Sequence, residues 1–170
     1  LNDLDAKILL VETGSTSLAL NVAKRLGIKI VELQEGEAAG SFSLDAANGE
    51  AMSREDDAIA LILHTSGTTS RPKMVPLSQA NIAASAKNIS ATLSLTPDDI
   101  CLNVMPLFHI HGLMAPVLAS LSSGASVHAT PGFDALRFFN WLEDAKPSWY
   151  SAVPTMHQAI LSRAPRNADV

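Results

Sequence analysis

Apolar and polar positions alternate along this chain in blocks of two different periods. Lys7 to Glu12 reads as a short strand, Ser15 to Leu26 as a helix ended by Gly27, and Ile28 to Leu33 as a second strand, which makes residues 1–33 a β-α-β unit. Residues 34–57 are acidic and rich in Ala, Gly and Ser, with no sustained periodicity, and read as a surface connection rather than a domain boundary. The pattern then resumes. A strand is expected at Ala58 to His64, a helix from Ser78 to about Leu93, a strand at Cys101 to Met105 and a helix from about His111 to Ser122. A strand at Ser126 to Ala129, a helix at Asp134 to Ala145, a strand at Trp149 to Val153 and a helix from Pro154 to about Arg163 complete the series. Alternation on this scale predicts an α/β fold, a sheet with helices on its faces, in which ligands gather beyond the carboxyl ends of the strands.

Bulk properties narrow the partners. A chain of 170 residues that is 47% hydrophobic is large enough to bury a full core and is compatible with one domain. The net charge of −5 and the absence of any basic cluster argue against nucleic acid, which is bound by grouped Lys and Arg, so the partner is expected to be small. Cys101, the single cysteine, excludes an intramolecular disulfide and fits a reducing compartment; the expected location is cytoplasmic or peroxisomal. No apolar run reaches the length of a membrane span.

The candidate chemistry is concentrated in Thr65-Ser66-Gly67-Thr68-Thr69-Ser70-Arg71-Pro72-Lys73, which follows the apolar run Ala58 to Leu63. Hydroxyls of Thr65, Ser66, Thr68 and Thr69 are donors for phosphate oxygens, Gly67 permits close backbone approach, and Lys73 brings a mobile positive charge. The string is no Walker loop, since that motif needs two glycines bracketing four residues and a Lys followed by Ser or Thr, whereas Met74-Val75-Pro76 follows Lys73. A second hydroxyl-rich stretch, Thr13-Gly14-Ser15-Thr16-Ser17, lacks a lysine and reads as a helix cap.

Two further segments stand out: Met105-Pro106-Leu107-Phe108-His109-Ile110-His111-Gly112-Leu113 and Trp149-Tyr150-Ser151-Ala152-Val153-Pro154-Thr155-Met156-His157. Together with the loop at 65–73, and in this order, they resemble the signature segments of the adenylate-forming superfamily of acyl-CoA synthetases and related ligases, over roughly residues 58 to 163. Ser70, in place of a glycine usual after the Thr pair, most resembles the oxalate:CoA ligase group. Met74 departs from the pattern, because most relatives have Gly after the lysine, and would strain the turn if that position needed a positive φ.

The resemblance implies a partial AMP-binding N-terminal domain, residues 1–170, from a layered sheet-and-helix architecture whose C-terminal lid is absent. It implies AMP-forming acid:CoA ligation with ATP, Mg²⁺ and coenzyme A: a carboxylate is adenylated with loss of pyrophosphate and then transferred to the thiol. Oxalate is the expected acid, with a short- or medium-chain fatty acid or an aryl acid as the alternative and a non-catalytic nucleotide-binding module as the reading from another class. Thr65, Ser66, Gly67, Thr68, Thr69 and Lys73 would hold the ATP phosphates, with Lys73 acting on the departing pyrophosphate. The positions matching His109, His111 and Gly112 line the acyl tunnel in relatives. An imidazole pair suits a small anionic acid, since either ring can donate to a carboxylate. His109 and His111 share one side if their segment is extended and diverge if a helix has begun. No third ligand stands near them in sequence, so no metal site is expected there. His64 either faces the nucleotide or caps the sheet edge, whereas His128, His157, Trp141 and Trp149 read as structural, and Pro106, Gly112 and Pro154 as backbone-shaping. The phosphate loop and the histidine segment are expected to meet. The chain is expected to depend on the remainder of its polypeptide, to be inactive alone and to expose apolar surface.

Overall fold

The computed structural model describes residues 4–46, 55–65 and 73–167. The chain falls into two compact units, Leu1–Ser53 and Arg54–Val170.

In the first unit β1 (Ile8–Glu12) and β2 (Lys29–Glu35) pair in parallel, joined by α1 (Leu18–Leu26). Ser17 caps α1, its Oγ accepting the Ala19 N–H at 3.2 Å, and Gly27 ends it at φ 66°, a left-handed turn that favours glycine. The hydroxyl-rich stretch before α1 is therefore a cap, as its composition implies. The expected helix is shorter by one turn because residues 15–17 are spent on the cap. A third strand, β3 (Phe42–Leu44), pairs antiparallel with β2 inside the stretch expected to be a plain connection. All three of its residues are exposed, so no alternation of burial marks it in the sequence.

The second unit opens with an antiparallel hairpin of β4 (Ile59–Thr65) and β5 (Lys73–Ser78), its register shifting between Ile59 and Leu61. β5 is absent from the sequence reading, since Pro76 lies inside it. A proline is tolerated there because each strand of a two-stranded sheet has a free edge. α2 (Gln79–Leu93) follows at once. Ser78 Oγ accepts the Asn81 N–H at 3.2 Å while Asn81 Oδ1 accepts the Ser78 N–H at 3.1 Å, a reciprocal cap.

The second sheet of this unit runs β7 (Ser126–Ala129), β6 (Ile100–Asn103), β8 (Trp149–Ser151), all parallel with β6 in the middle. The two sheets mean that the expected strands do not form one continuous array. A central parallel strand is apolar on both faces, and Cys101, Leu102 and Val104 have no exposed surface. Leu102 and Val104 pack with Phe138, Phe139 and Trp141, from or beside α5 (Phe138–Ala145), and with Ile160 of α6 (Pro154–Leu161). Each such buried side chain contributes about 1.5–3 kcal/mol by removal from water. Cys101, on the opposite face, meets Ser120, and its burial pushes the thiol up to about 12, which leaves it un-ionised and unreactive at neutral pH.

Over that opposite face lies a helical rod made of α3 (Ile110–Gly112), a π-helical stretch (Leu113–Ala119) and α4 (Ser120–Ser122). The sequence predicts an ordinary helix here. Pro116, buried inside the rod, has no N–H for the carbonyl four residues back, and the rod widens to π geometry around it. Ser120 Oγ donates to the Pro116 carbonyl at 2.6 Å.

The amino ends of β6 and β8 are clamped by Asp99. Its carboxylate accepts the Ser148 hydroxyl at 2.7 Å and the Thr96 N–H and hydroxyl at 2.7 and 3.0 Å. Ser148 Oγ in turn accepts the Ile100 N–H at 3.1 Å. Donation by Ser148, then by the Thr96 backbone and side chain, holds the Asp99 carboxyl below the usual carboxylate range against a small opposing effect of burial. A carboxylate whose folded pKa is depressed contributes stability above its unfolded value and loses it as pH falls through the folded one. Asp99→Asn is therefore expected to lower the urea midpoint at pH 7. It should also flatten the loss of stability on acidification below pH 4, so that the two urea-midpoint curves converge in acid.

Candidate active site

The loop singled out by sequence springs from a paired base. Thr65 ends β4, Lys73 begins β5, and the two are register partners across the hairpin. Directly opposed residues in an antiparallel pair have Cα atoms about 4.5–5.5 Å apart, so both ends of the connection are fixed. Ser66, Gly67, Thr68, Thr69, Ser70, Arg71 and Pro72 lie outside the described residues. The strand continues after Lys73 rather than giving way to a helix. Met74 pairs with His64 and lies in extended strand. Among the described residues only Asp5, Ser94 and Lys146 have positive φ without being glycine. Met in place of the family's glycine is therefore a side-chain choice that costs no backbone strain. His64 is exposed on β4.

The histidine segment leaves the carboxyl end of β6. Asn103, 3% exposed, accepts the Met105 N–H on its side-chain carbonyl at 3.0 Å, and the His109 N–H closes a turn on the Pro106 carbonyl at 3.2 Å. His109 is extended (φ −101°, ψ 134°) and occupies the cap position of α3, where its Nδ1 accepts the His111 N–H at a long 3.4 Å. The helix has thus begun between the two histidines, and they diverge. His109 stays exposed beside Phe108, itself 87% exposed. His111 is half-buried, its Nε2 lying 2.6 Å from Ser151 Oγ at the end of β8.

Gly112 is required by packing. A Cβ there would run into the Pro106 carbonyl and touch the Met105 side chain, so only glycine lets α3 sit on the turn that precedes it. The structure thus brings His111, Gly112 and the carboxyl edge of the β6–β8 pair together. It pairs Thr65 with Lys73, and no hydrogen bond joins those two groups of residues among the described residues.

Ser151 lies in the third matched segment, but the sequence gives it no role of its own. The available signal was its place as the last residue of a strand, where ligand-facing side chains collect. Its neighbour Tyr150 points to the other face. The Tyr150 hydroxyl lies 3.1 Å from His157 Nδ1 and its ring stands edge-on to Phe138 at 5.0 Å, so His157 belongs to the apolar side of the sheet. Trp141 is buried under the Arg137 guanidinium, 5.3 Å from its ring. Trp149 Nε1 is buried without a hydrogen-bond partner among the described residues. No group of three His, Cys, Asp or Glu side chains suited to a metal is found among the described residues, and none of their helices is long and apolar enough to cross a membrane.

A parallel sheet covered on both faces, with a histidine at its carboxyl edge, places the chain among α/β folds whose sites form at the ends of strands. The chain belongs to the AMP-binding enzyme family, which matches residues 1–169. It is 43% identical to the Arabidopsis thaliana oxalate–CoA ligase over 96% of its own length and 34% of that protein's. It is 35% identical to the Saccharomyces cerevisiae oxalate–CoA ligase over 95% of its length and 35% of that protein's. The crystal structure of ATP-bound MatB from Rhodopseudomonas palustris superposes with a TM-score of 0.72 at 27% identity, covering 91% of this chain and 31% of that one. The chain spans about a third of the length of the curated relatives it matches.

Gly112→Ala is expected to destabilise the protein by about 1–3 kcal/mol, the usual cost of overpacking a filled site. A thermal melt checks this, and an unchanged melting temperature would mean that the helix and turn separate freely.

Proposed function

We propose that this chain is the nucleotide- and acid-binding part of an AMP-forming acid:CoA ligase that acts on oxalate as part of a longer polypeptide. One oxalate carboxylate attacks the α-phosphorus of ATP, pyrophosphate leaves, and the thiol of coenzyme A then displaces AMP to give oxalyl-CoA. The observation that carries the reading is the 43% identity to an oxalate–CoA ligase across nearly the whole chain.

The reacting carboxylate is itself the nucleophile, so the protein supplies position and charge rather than a base. Thr65, Ser66, Gly67, Thr68, Thr69 and Lys73 hold the β- and γ-phosphates, and Lys73 stabilises the pyrophosphate as it departs. The Thr65–Lys73 pairing supports this role, because it sets the threonine and the lysine directly opposite one another at the base of the connection. Mg²⁺ arrives as part of the ATP substrate complex; its usual companions are phosphate oxygens, waters and one or two carboxylates. His111 donates to the distal carboxylate of oxalate, His109 borders the path of acid and thiol, and Gly112 keeps the helix close enough for His111 to reach. The protein works in the cytosol or the peroxisome.

Lys73→Met in the full-length protein is expected to lower oxalate-dependent pyrophosphate release by about 100-fold to 1000-fold, the scale for loss of one preorganised transition-state donor. Unchanged release would make Lys73 a solvated surface residue. ATP binding by the wild type without acid-dependent pyrophosphate release would make the protein a nucleotide-binding module instead.

His111→Phe keeps an aromatic body and removes both ring nitrogens. A hydrogen bond to a charged group is worth about 1.5–3 kcal/mol, so kcat/KM for oxalate should fall roughly ten-fold to more than a hundred-fold, with acetate spared. Equal losses for both acids would return His111 to a structural role.

A further inference from the structure

We propose that Ser151 is a positioning residue for His111: its hydroxyl holds the ring at Nε2 and so fixes Nδ1 as the atom that meets the acid substrate. The inference rests on the reading of His111 as an acyl-site donor.

Three observations carry it. The contact joins residues 40 apart in sequence at 2.6 Å, a short hydrogen bond between a hydroxyl and a ring nitrogen. Ser151 is the last residue of β8 and the register partner of Asn103, the last residue of β6, so the bond sits at the carboxyl edge of the sheet. Strand alternation sends Tyr150 into the aromatic cluster and Ser151 toward the rod that carries His111, which makes its orientation a consequence of the core.

With Nε2 engaged, Nδ1 is the ring atom left for a substrate; no partner for it is found among the described residues. A carboxylate only accepts, so Nδ1 has to carry a proton. In the neutral ring this requires Nε2 to be the acceptor, and a serine hydroxyl can donate to it. When the ring takes up a second proton beside an anion, the same hydroxyl rotates and accepts from Nε2. A hydroxyl fills both roles without moving a heavy atom, which neither an amide nor a carboxylate can do. Without Ser151 the neutral ring is free to place its proton on Nε2 and show a lone pair to the substrate, which repels it. Acid recognition therefore depends on a residue that need not touch the acid.

The test is a double-mutant cycle on the full-length protein, read as kcat/KM for oxalate and for acetate, with pH profiles and melting temperatures. Loss of one orienting hydrogen bond should make Ser151→Ala roughly three- to ten-fold poorer on oxalate, with acetate changed less than about two-fold. Ser151→Thr, which keeps the hydroxyl, should restore the oxalate value. In the His111→Phe background Ser151→Ala should add no further loss, because the residue acts through the ring. The pH dependence of kcat/KM for oxalate should shift in Ser151→Ala and return in Ser151→Thr. Additive losses, equal losses on both acids, or a lower melting temperature with an unchanged oxalate-to-acetate ratio would overturn the inference. If His111→Phe loses oxalate selectively while Ser151→Ala does not, the positioning role falls and the substrate reading stands. If His111→Phe leaves the oxalate preference intact, both fall.

Discussion

Burial of β6 on both faces is the constraint from which the site follows. A parallel strand in the middle of a sheet needs apolar cover above and below, and Cys101 to Met105 is buried throughout. Leu102 and Val104 draw α5 and α6 onto one face, while Cys101 accepts the rod of residues 110–122 on the other. Once the rod is held there, the chain has to turn between Met105 and His109 to reach it, and the start of the rod lies against the carboxyl edge of the sheet. The position of His111 is thus a result of core packing rather than of contacts made by the histidine itself.

Polar clamps then fix what packing leaves loose. Asp99 and Ser148 hold the amino ends of β6 and β8, and Thr130 ties the segment after β7 to the carboxyl end of β6 through the Asn103 carbonyl at 2.9 Å. The His111–Ser151 contact closes the opposite end of the β6–β8 pair. Gly112 adds a steric limit, since the rod can approach the turn only where there is no Cβ. Each clamp is small in energy, and of these only the Ser151 contact touches the imidazole directly.

Much of this was legible in the sequence, for reasons visible in particular residues. The strand at 100–103 and the helix α5 are strongly apolar and periodic, and Ser17, Gly27 and Ser78 mark helix ends with side chains suited to the task. β3 was hidden because its three residues are all exposed, and β5 because Pro76 reads as a breaker unless the strand is known to be an edge. The π geometry follows from Pro116, yet a proline in an apolar helix predicts a kink as readily as a widened turn. At the site, the family resemblance pointed to His109 and His111 as a pair, but only the start of α3 at Ile110 shows that they part company. Ser151 could not be paired with His111 from spacing, because the bond depends on which face of β8 the core claims.

The central claim is that the hairpin loop holds ATP while His111, set by the core and Ser151, holds the acid. A crystal structure of the full-length protein with a non-hydrolysable ATP analogue and oxalate tests it most directly. The β- and γ-phosphates should lie within the connection between Thr65 and Lys73, with one oxalate carboxylate accepting from His111 Nδ1 and the Ser151 contact retained at Nε2. Oxalate bound away from His111, or an imidazole turned off Ser151 toward the core, would contradict the account.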